Sequence, residues 1–283
     1  MRLVTYDDGS GAQAGIQIGE HVICTAALGA PARSLRALLE ALSPPDLAAL
    51  GERAQSAGRG TPLADVRLLP PVPDPQKIIC LGLNYRDHAA EVGQPLPGAP
   101  MWFAKFANSL VGHEAEIVLP STHPDHVDYE AELAVVIGRS AKRIDEQDAL
   151  DHIAGAMAFN DVSARDLQFE NPLWTAGKAL DTFAPCGPAL VTLDELDDLQ
   201  ALALRAKVNG KTVQEGTTAN MIFSVAATIA WLSRTMTLLP GDIIATGTPA
   251  GVGAARGSFL RAGDSVEIEV SGIGTLRNRV RAP

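Results

Sequence analysis

The sequence predicts an α+β, β-rich fold, with a small N-terminal α/β meander domain over residues 1–70 and a mixed β roll or barrel over residues 71–283. Short apolar runs of strand length recur between turn formers along most of the chain, whereas helical spacing appears in only a few stretches. Between the two parts lies Leu69-Pro70-Pro71-Val72-Pro73-Asp74-Pro75, too proline-dense to supply the donors of a regular strand, which reads as a stiff extended linker. A hydrophobic content of 46% with 26 glycines and 19 prolines likewise indicates a compact chain of many turns rather than a helical bundle.

The N-terminal part opens as a small meander broken at Asp7-Asp8-Gly9-Ser10-Gly11 and at Gly19-Glu20. Leu35, Leu38, Leu39 and Leu42 then follow helical spacing, and Asp46 to Ala57 offers a second short helix after Pro44-Pro45. After the linker, Lys77 to Leu83 is a buried strand. His88 and Glu91, three residues apart, are neighbours on one helical turn, where a carboxylate fixes the imidazole tautomer and raises its basicity. A surface His–Glu pair reads equally well. Gly93, Pro95, Pro97, Gly98 and Pro100 give the next segment the composition of a lid. Lys105, inside the apolar run Trp102 to Phe106, either snorkels to the surface or faces an acidic site.

Asp128-Tyr129-Glu130-Ala131-Glu132-Leu133-Ala134-Val135-Val136-Ile137-Gly138 reads as a strand. Alternation puts Glu130 and Glu132 on one face about 7 Å apart, with Ala131, Leu133, Val135 and Ile137 on the other. Two such carboxylates in apolar surroundings call for protonation or a bridging cation. A third acid, Asp161, ends the next apolar run, Gly155 to Val162, and Ser163-Ala164-Arg165-Asp166 matches a helix-capping pattern. An all-oxygen donor set suits Mg²⁺ or Mn²⁺, with Ca²⁺ allowed, better than Zn²⁺. The alternative is a solvated strand face with Asp161 in a turn. Glu-x-Glu is a cheap pattern, and its second copy, Glu114 and Glu116, lies on a more polar stretch that reads as surface.

Lys178, among small residues, either meets an anionic substrate group or pairs with Asp181. From Thr218 onward, Ile222, Val225, Ala226, Ile229, Leu232 and Met236 form an amphipathic helix ended by Pro240-Gly241. Gly241 to Gly253 is a strand running into a glycine-rich loop. It lacks the Gly-Lys-Ser/Thr ending of a nucleotide loop and a following helix pattern, but its backbone N–H groups and the Thr248 hydroxyl can hold a carboxylate; a tight corner explains it as well. The remainder, to Val280, is turn and strand.

A net charge of −10 argues against a nucleic-acid partner. Cys24, Cys80 and Cys186 are odd in number and widely spaced, so buried reduced thiols are expected. No apolar run is long enough to span a bilayer and the N-terminus lacks a signal-peptide core, which makes a soluble cytoplasmic protein without membrane partners the expectation.

Asn84-Tyr85 with His88 and Glu91, Asp128 to Val135, Phe159 to Asp166, Gly177-Lys178 with Asp181-Thr182-Phe183, and Pro240-Gly241-Asp242 to Thr248-Pro249 together resemble the fumarylacetoacetate hydrolase (FAH) family, in order, over roughly residues 70 to 280. The resemblance implies an FAH-type β roll, usually homodimeric, and a Mg²⁺ or Mn²⁺ held by Glu130, Glu132 and Asp161. It implies that a small 2-oxo or 2,4-dioxo acid chelates that metal, that Lys178, Thr248, Gln168 and Lys105 hold the substrate, with Lys178 also catalytic, and that His88 with Glu91 is the base on a closing lid. Where the founding hydrolase has a further acidic ligand, this chain has Leu81, which likens it to smaller relatives with three carboxylate ligands. The implied activity is hydrolysis of a C–C bond in a 2,4-dioxo acid, in organic-acid catabolism. A 2-oxo acid decarboxylase, a 2-hydroxymuconate-type isomerase and a non-catalytic metal or sugar-acid binding module are the alternatives, because fold does not settle chemistry.

Overall fold

The computed structural model describes residues 1–283. Its main element is a mixed sheet of 12 strands. From one edge, the path runs through Thr61–Pro62, His21–Cys24, Ala12–Ile18, Arg2–Asp7, Ala184–Val191, Ile153–Asn160, Ala131–Ile137, Ile243–Ala245, Ile78–Gly82 and Met101–Lys105. Both ends of that path are free edges, so the sheet curls as an open roll and the barrel alternative is not realised. A second sheet of 5 strands, Lys211–Thr217, Ala203–Val208, Ser265–Val270, Gly274–Arg281 and Glu116–Val118, packs against its middle.

Ala131–Ile137 is buried along its whole length because both faces are covered. Leu133, Val135 and Ile137 join the core shared with Val266, Ile268 and Leu276 of the second sheet. Ala134 and Val136 face the other way, into a core that includes Leu35, Leu38 and Leu50 of the N-terminal helices. A strand covered on both sides reads as a continuous apolar run rather than an alternating one, which accounts for its sequence.

The expected meander forms, and Arg2–Asp7 also pairs with Ala184–Val191, so the N-terminal segment continues the main sheet. The proline-dense stretch is irregular, as expected, but Pro70, Pro71 and Val72 are buried, and the Thr5 hydroxyl donates to Pro71 O at 2.6 Å. The first two helices are Leu35–Ala41 and Pro44–Ser56; the second takes both prolines into its first turn, where a missing N–H costs nothing, and Ser43 caps it. The later helix is shorter than its apolar spacing indicates. It runs Val225–Thr235, because Ser224 accepts from Ala227 N and fixes the start, leaving Ile222 outside. Its end falls before Pro240, at Thr235.

Asp242 fastens the strand that follows. Fully buried, it accepts from Lys77 N at 3.0 Å and Leu239 N at 2.7 Å and pairs with Lys77 Nζ at 2.8 Å. Asp242→Ala orphans both N–H groups and should cost about 2–4 kcal/mol. A urea titration should show the midpoint falling with the slope unchanged; a loss below about 0.5 kcal/mol, the level of an ordinary surface change, would contradict this account.

Candidate metal and acid–base site

At the end of the doubly covered strand, four carboxylates lie buried: Asp128, Glu130, Glu132 and Asp161. Glu130 immediately precedes Ala131–Ile137, Glu132 is its second residue, and Asp161 follows Ile153–Asn160, its antiparallel neighbour. Asp161 N donates to Glu130 O at 3.0 Å, which brings the two strand ends together. One oxygen from each of Glu130, Glu132 and Asp161 lies within 4.8 Å of the others. The solvated-face alternative is thereby excluded for this pair, whereas Glu114 and Glu116 are exposed, as expected.

Three cations answer the four acids. Lys178 Nζ donates to Glu130 Oε2 at 2.8 Å and to Asp161 Oδ2 at 2.9 Å, which decides its partner; Asp181 instead accepts from Asn108 Nδ2. Arg165 binds Asp128 Oδ2 through Nε and one terminal nitrogen at 2.8 and 2.7 Å, and that same nitrogen reaches Glu130 Oε1 at 2.7 Å. Lys105 Nζ lies 2.6 Å from Asp161 Oδ1 without hydrogen-bond alignment, and donates to Val162 O and Phe183 O. Burial pushes the Glu130 carboxyl up, but the Lys178 and Arg165 charges outweigh it and hold its pKa at about 2. Glu132 is driven the other way, well above the usual carboxylate range, by burial and by the charges of Asp161 and Glu130.

Glu132 Oε2 accepts from Gly247 N at 2.9 Å, while its buried Oε1 has no partner. An orphaned carboxylate oxygen, one negative charge in excess of the local cations, and an all-oxygen donor set fit a hard divalent cation.

His88 and Glu91 lie on the helix Arg86–Glu91. His88 Nδ1 and Glu91 Oε2 are 3.0 Å apart, and Glu91 Oε1 accepts from Gly251 N at 2.8 Å. Asn84 anchors the entry to that helix, since its amide donates to Phe223 O and Thr246 O and its oxygen accepts from Phe223 N. His88, Glu130, Arg165, Gln168, Lys178 and Thr248 line one cavity of about 580 Å³. Gln168 accepts from Arg165 at 2.9 Å. The Thr248 hydroxyl donates to Ala131 O at 2.9 Å and accepts from Gln214 Nε2. Lys105 is not on the cavity wall. Its buried ammonium lies against Asp161, so of the two outcomes for a cation in that apolar run it is the acidic site that Lys105 faces.

Two further expectations change. Ser163 does not cap a helix: it lies in a short strand pairing with Val127–Asp128, its hydroxyl donates to Asp161 O at 2.9 Å, and the helix Arg165–Phe169 begins after Ala164. A four-residue helix, Gly253–Arg256, does follow the glycine-rich loop. The loop's N–H groups hold carboxylates, as expected, but those of this chain: Gly247 binds Glu132, Gly251 binds Glu91, and Gly253 and Ala254 bind Asp128 at 2.7 and 2.9 Å. A Cβ at residue 253 would sit 2.5 Å from Asp128 Oδ1, so only glycine permits that approach. Sequence reasoning missed the Asp128–Arg165 pair, whose one visible signal was the acid and the arginine inside motifs read for other reasons.

Glu132→Gln should weaken Mn²⁺ binding by more than about tenfold, because it removes charge and donor strength at the orphaned position. Calorimetric titration of chelator-treated protein reads this directly. Glu116→Gln should leave the affinity as it is, and equal losses in the two variants would remove the acidic triad from consideration.

Comparison with known proteins places these residues in context. Residues 77–281 match the fumarylacetoacetate (FAA) hydrolase C-terminal family. A mitochondrial oxaloacetate tautomerase, fahd2 of Xenopus laevis, is 47% identical over 221 residues, covering 77% of this chain and 69% of that protein. The structure resembles 5-carboxymethyl-2-hydroxymuconate delta-isomerase of Mycobacterium smegmatis with a TM-score of 0.79 and 36% identity, over 100% of this chain and 99% of that one. It also resembles maleylpyruvate hydrolase of Sphingobium sp. SYK-6, determined in complex with a manganese(II) ion and pyruvate, with a TM-score of 0.81 and 31% identity over 100% and 99% of the two chains. The chain therefore belongs to the fumarylacetoacetate hydrolase family.

Proposed function

We propose that this protein is a Mg²⁺- or Mn²⁺-dependent enzyme that moves a proton at the carbon beside the keto group of a 2-oxo acid, interconverting its keto and enol forms. The observation that carries this reading is a carboxylate-oriented imidazole on the wall of the cavity that Glu130, one member of the buried acidic triad, also lines. The likeness to oxaloacetate tautomerase, higher in identity than that to the hydrolase, favours proton transfer over bond cleavage.

Glu130, Glu132 and Asp161 would hold the cation, which when bound supplies a Lewis acid that polarises the keto oxygen. Everything else is done by the chain. Glu91 accepts the Nδ1 proton of His88, which assigns the imidazole the tautomer with a free lone pair on Nε2. That nitrogen takes a proton from C3, the C–H pair becomes the enol double bond, and the proton is returned to the former keto oxygen. Gly251 N holds the second Glu91 oxygen, so the base stays aimed as its charge changes. Lys178 and Arg165, paired with Glu130, Asp161 and Asp128, offset the carboxylates' charge at the end of the cavity where negative charge develops on the substrate.

A second reading is hydrolysis of a C–C bond in a 2,4-dioxo acid, as the sequence leads one to expect, favoured by the end-to-end likeness to maleylpyruvate hydrolase. In it, His88 takes its proton from water.

His88→Ala should lower kcat for enol–keto conversion, followed by ultraviolet absorbance, by about 10²–10⁴-fold. Mn²⁺ affinity should hardly change, because His88 is not in the triad. Glu91→Gln should cost less, as it orients the ring without accepting the substrate proton. Near-native turnover in His88→Ala would sink the acid–base reading, and release of pyruvate from a 2,4-dioxo acid at a rate exceeding tautomerisation would establish the hydrolytic one.

A further inference from the structure

The outer half of the cavity constrains the far end of the substrate. At about 580 Å³ the space exceeds what a small dicarboxylate fills and falls in the range of much larger ligands. Its polar groups gather at the inner end around Glu130. The outer wall is built from the exposed Val92, Leu96, Met101 and Phe169, with Gln94 the polar side chain at that end, while Phe103 lies further in, its ring centroid 5.1 Å from Lys178 Nζ. Leu96 and Phe169 are 52% and 69% exposed, an arrangement that costs free energy unless something apolar covers it. Phe103 and Trp174 meet edge to face at 5.8 Å and form a firm aromatic floor. Leu83, also on the wall, is held at a φ of 54°, a left-handed conformation that a leucine adopts only under constraint.

Charge points the same way. The cavity carries two permanent cations, Arg165 and Lys178, and both are committed. The Arg165 guanidinium serves Asp128, Glu130 and Gln168, and the Lys178 ammonium serves Glu130 and Asp161. No unpaired cation remains on the outer wall to receive a second carboxylate, and desolvating one there without a partner is expensive.

We propose that the substrate is a 2-oxo acid bearing an apolar aryl or alkyl group at its far end rather than a second carboxylate, with that group passing over the Phe103–Trp174 floor and seated against Val92, Leu96 and Phe169. The proposal rests on the reading of the site as one for 2-oxo acids. It separates this protein from relatives named for oxaloacetate, and makes Leu96 and Phe169 determinants of specificity.

The test compares phenylpyruvate with oxaloacetate on Mn²⁺-loaded protein, by calorimetric binding and by kcat/KM for enol–keto conversion. Wild type should favour phenylpyruvate by at least about tenfold in both measurements. Leu96→Arg, which places a cation on the outer wall, should shift the ratio toward oxaloacetate by about tenfold or more, and Phe169→Ala should weaken phenylpyruvate binding. Tighter binding of oxaloacetate by wild type, or a ratio that Leu96→Arg leaves unmoved, overturns the proposal. Preferential binding of phenylpyruvate without turnover of either acid upholds the proposal and overturns the proton-transfer reading instead.

Discussion

The molecule is arranged around an electrostatic imbalance among buried side chains. Asp128, Glu130, Glu132 and Asp161 are buried at the end of a strand covered on both faces, and Lys105, Arg165 and Lys178 supply one positive charge fewer than the acids require. In bulk solvent such a deficit would mean little. Here desolvation disfavours every unpaired charge, so the missing positive charge falls on Glu132, which has an orphaned oxygen, no cation paired with it and a strongly raised affinity for a proton. A hard divalent cation turns that deficit into one net positive charge, which an anionic ligand offsets, and it satisfies the remaining lone pairs as a proton does not.

The glycine-rich loop after Ile243–Ala245 holds this arrangement to the rest of the site. Backbone donors from one short stretch reach Glu132, Glu91 and Asp128. Asp128 in turn orients Arg165, which reaches Glu130. The acidic cluster and the His88–Glu91 pair, distant in sequence, thus share a rigid frame. Gly251, at a φ of 106°, and Gly253, pressed against Asp128, are needed because a side chain would be strained at the first and would collide at the second.

Much of this was legible in the sequence, and the reasons differ by residue. Strand alternation is local, so the common face of Glu130 and Glu132 followed from spacing, and one helical turn brought His88 to Glu91. The Asp128–Arg165 pair spans 37 residues and depends on the pairing of Val127–Asp128 with Ser163–Ala164, which no local pattern announces. That pairing also diverted Ser163 from the capping role its spacing fits. Lys105 was ambiguous because a cation in an apolar run has two outcomes, and the approach of Asp161 decided between them. The continuation of the N-terminal meander into the main sheet rests on the pairing of Arg2 with Val191 and Leu3 with Leu190, far apart in sequence, and the proline-dense segment conceals it by resembling an exposed linker.

The central claim is that the buried acidic triad exists to hold a divalent cation. Anomalous scattering from crystals grown with Mn²⁺ tests it most directly. The account predicts one strong peak per chain bounded by the carboxylates of Glu130, Glu132 and Asp161. Crystals saturated with Mn²⁺ that show no peak there, or a peak only among exposed acids, would contradict it.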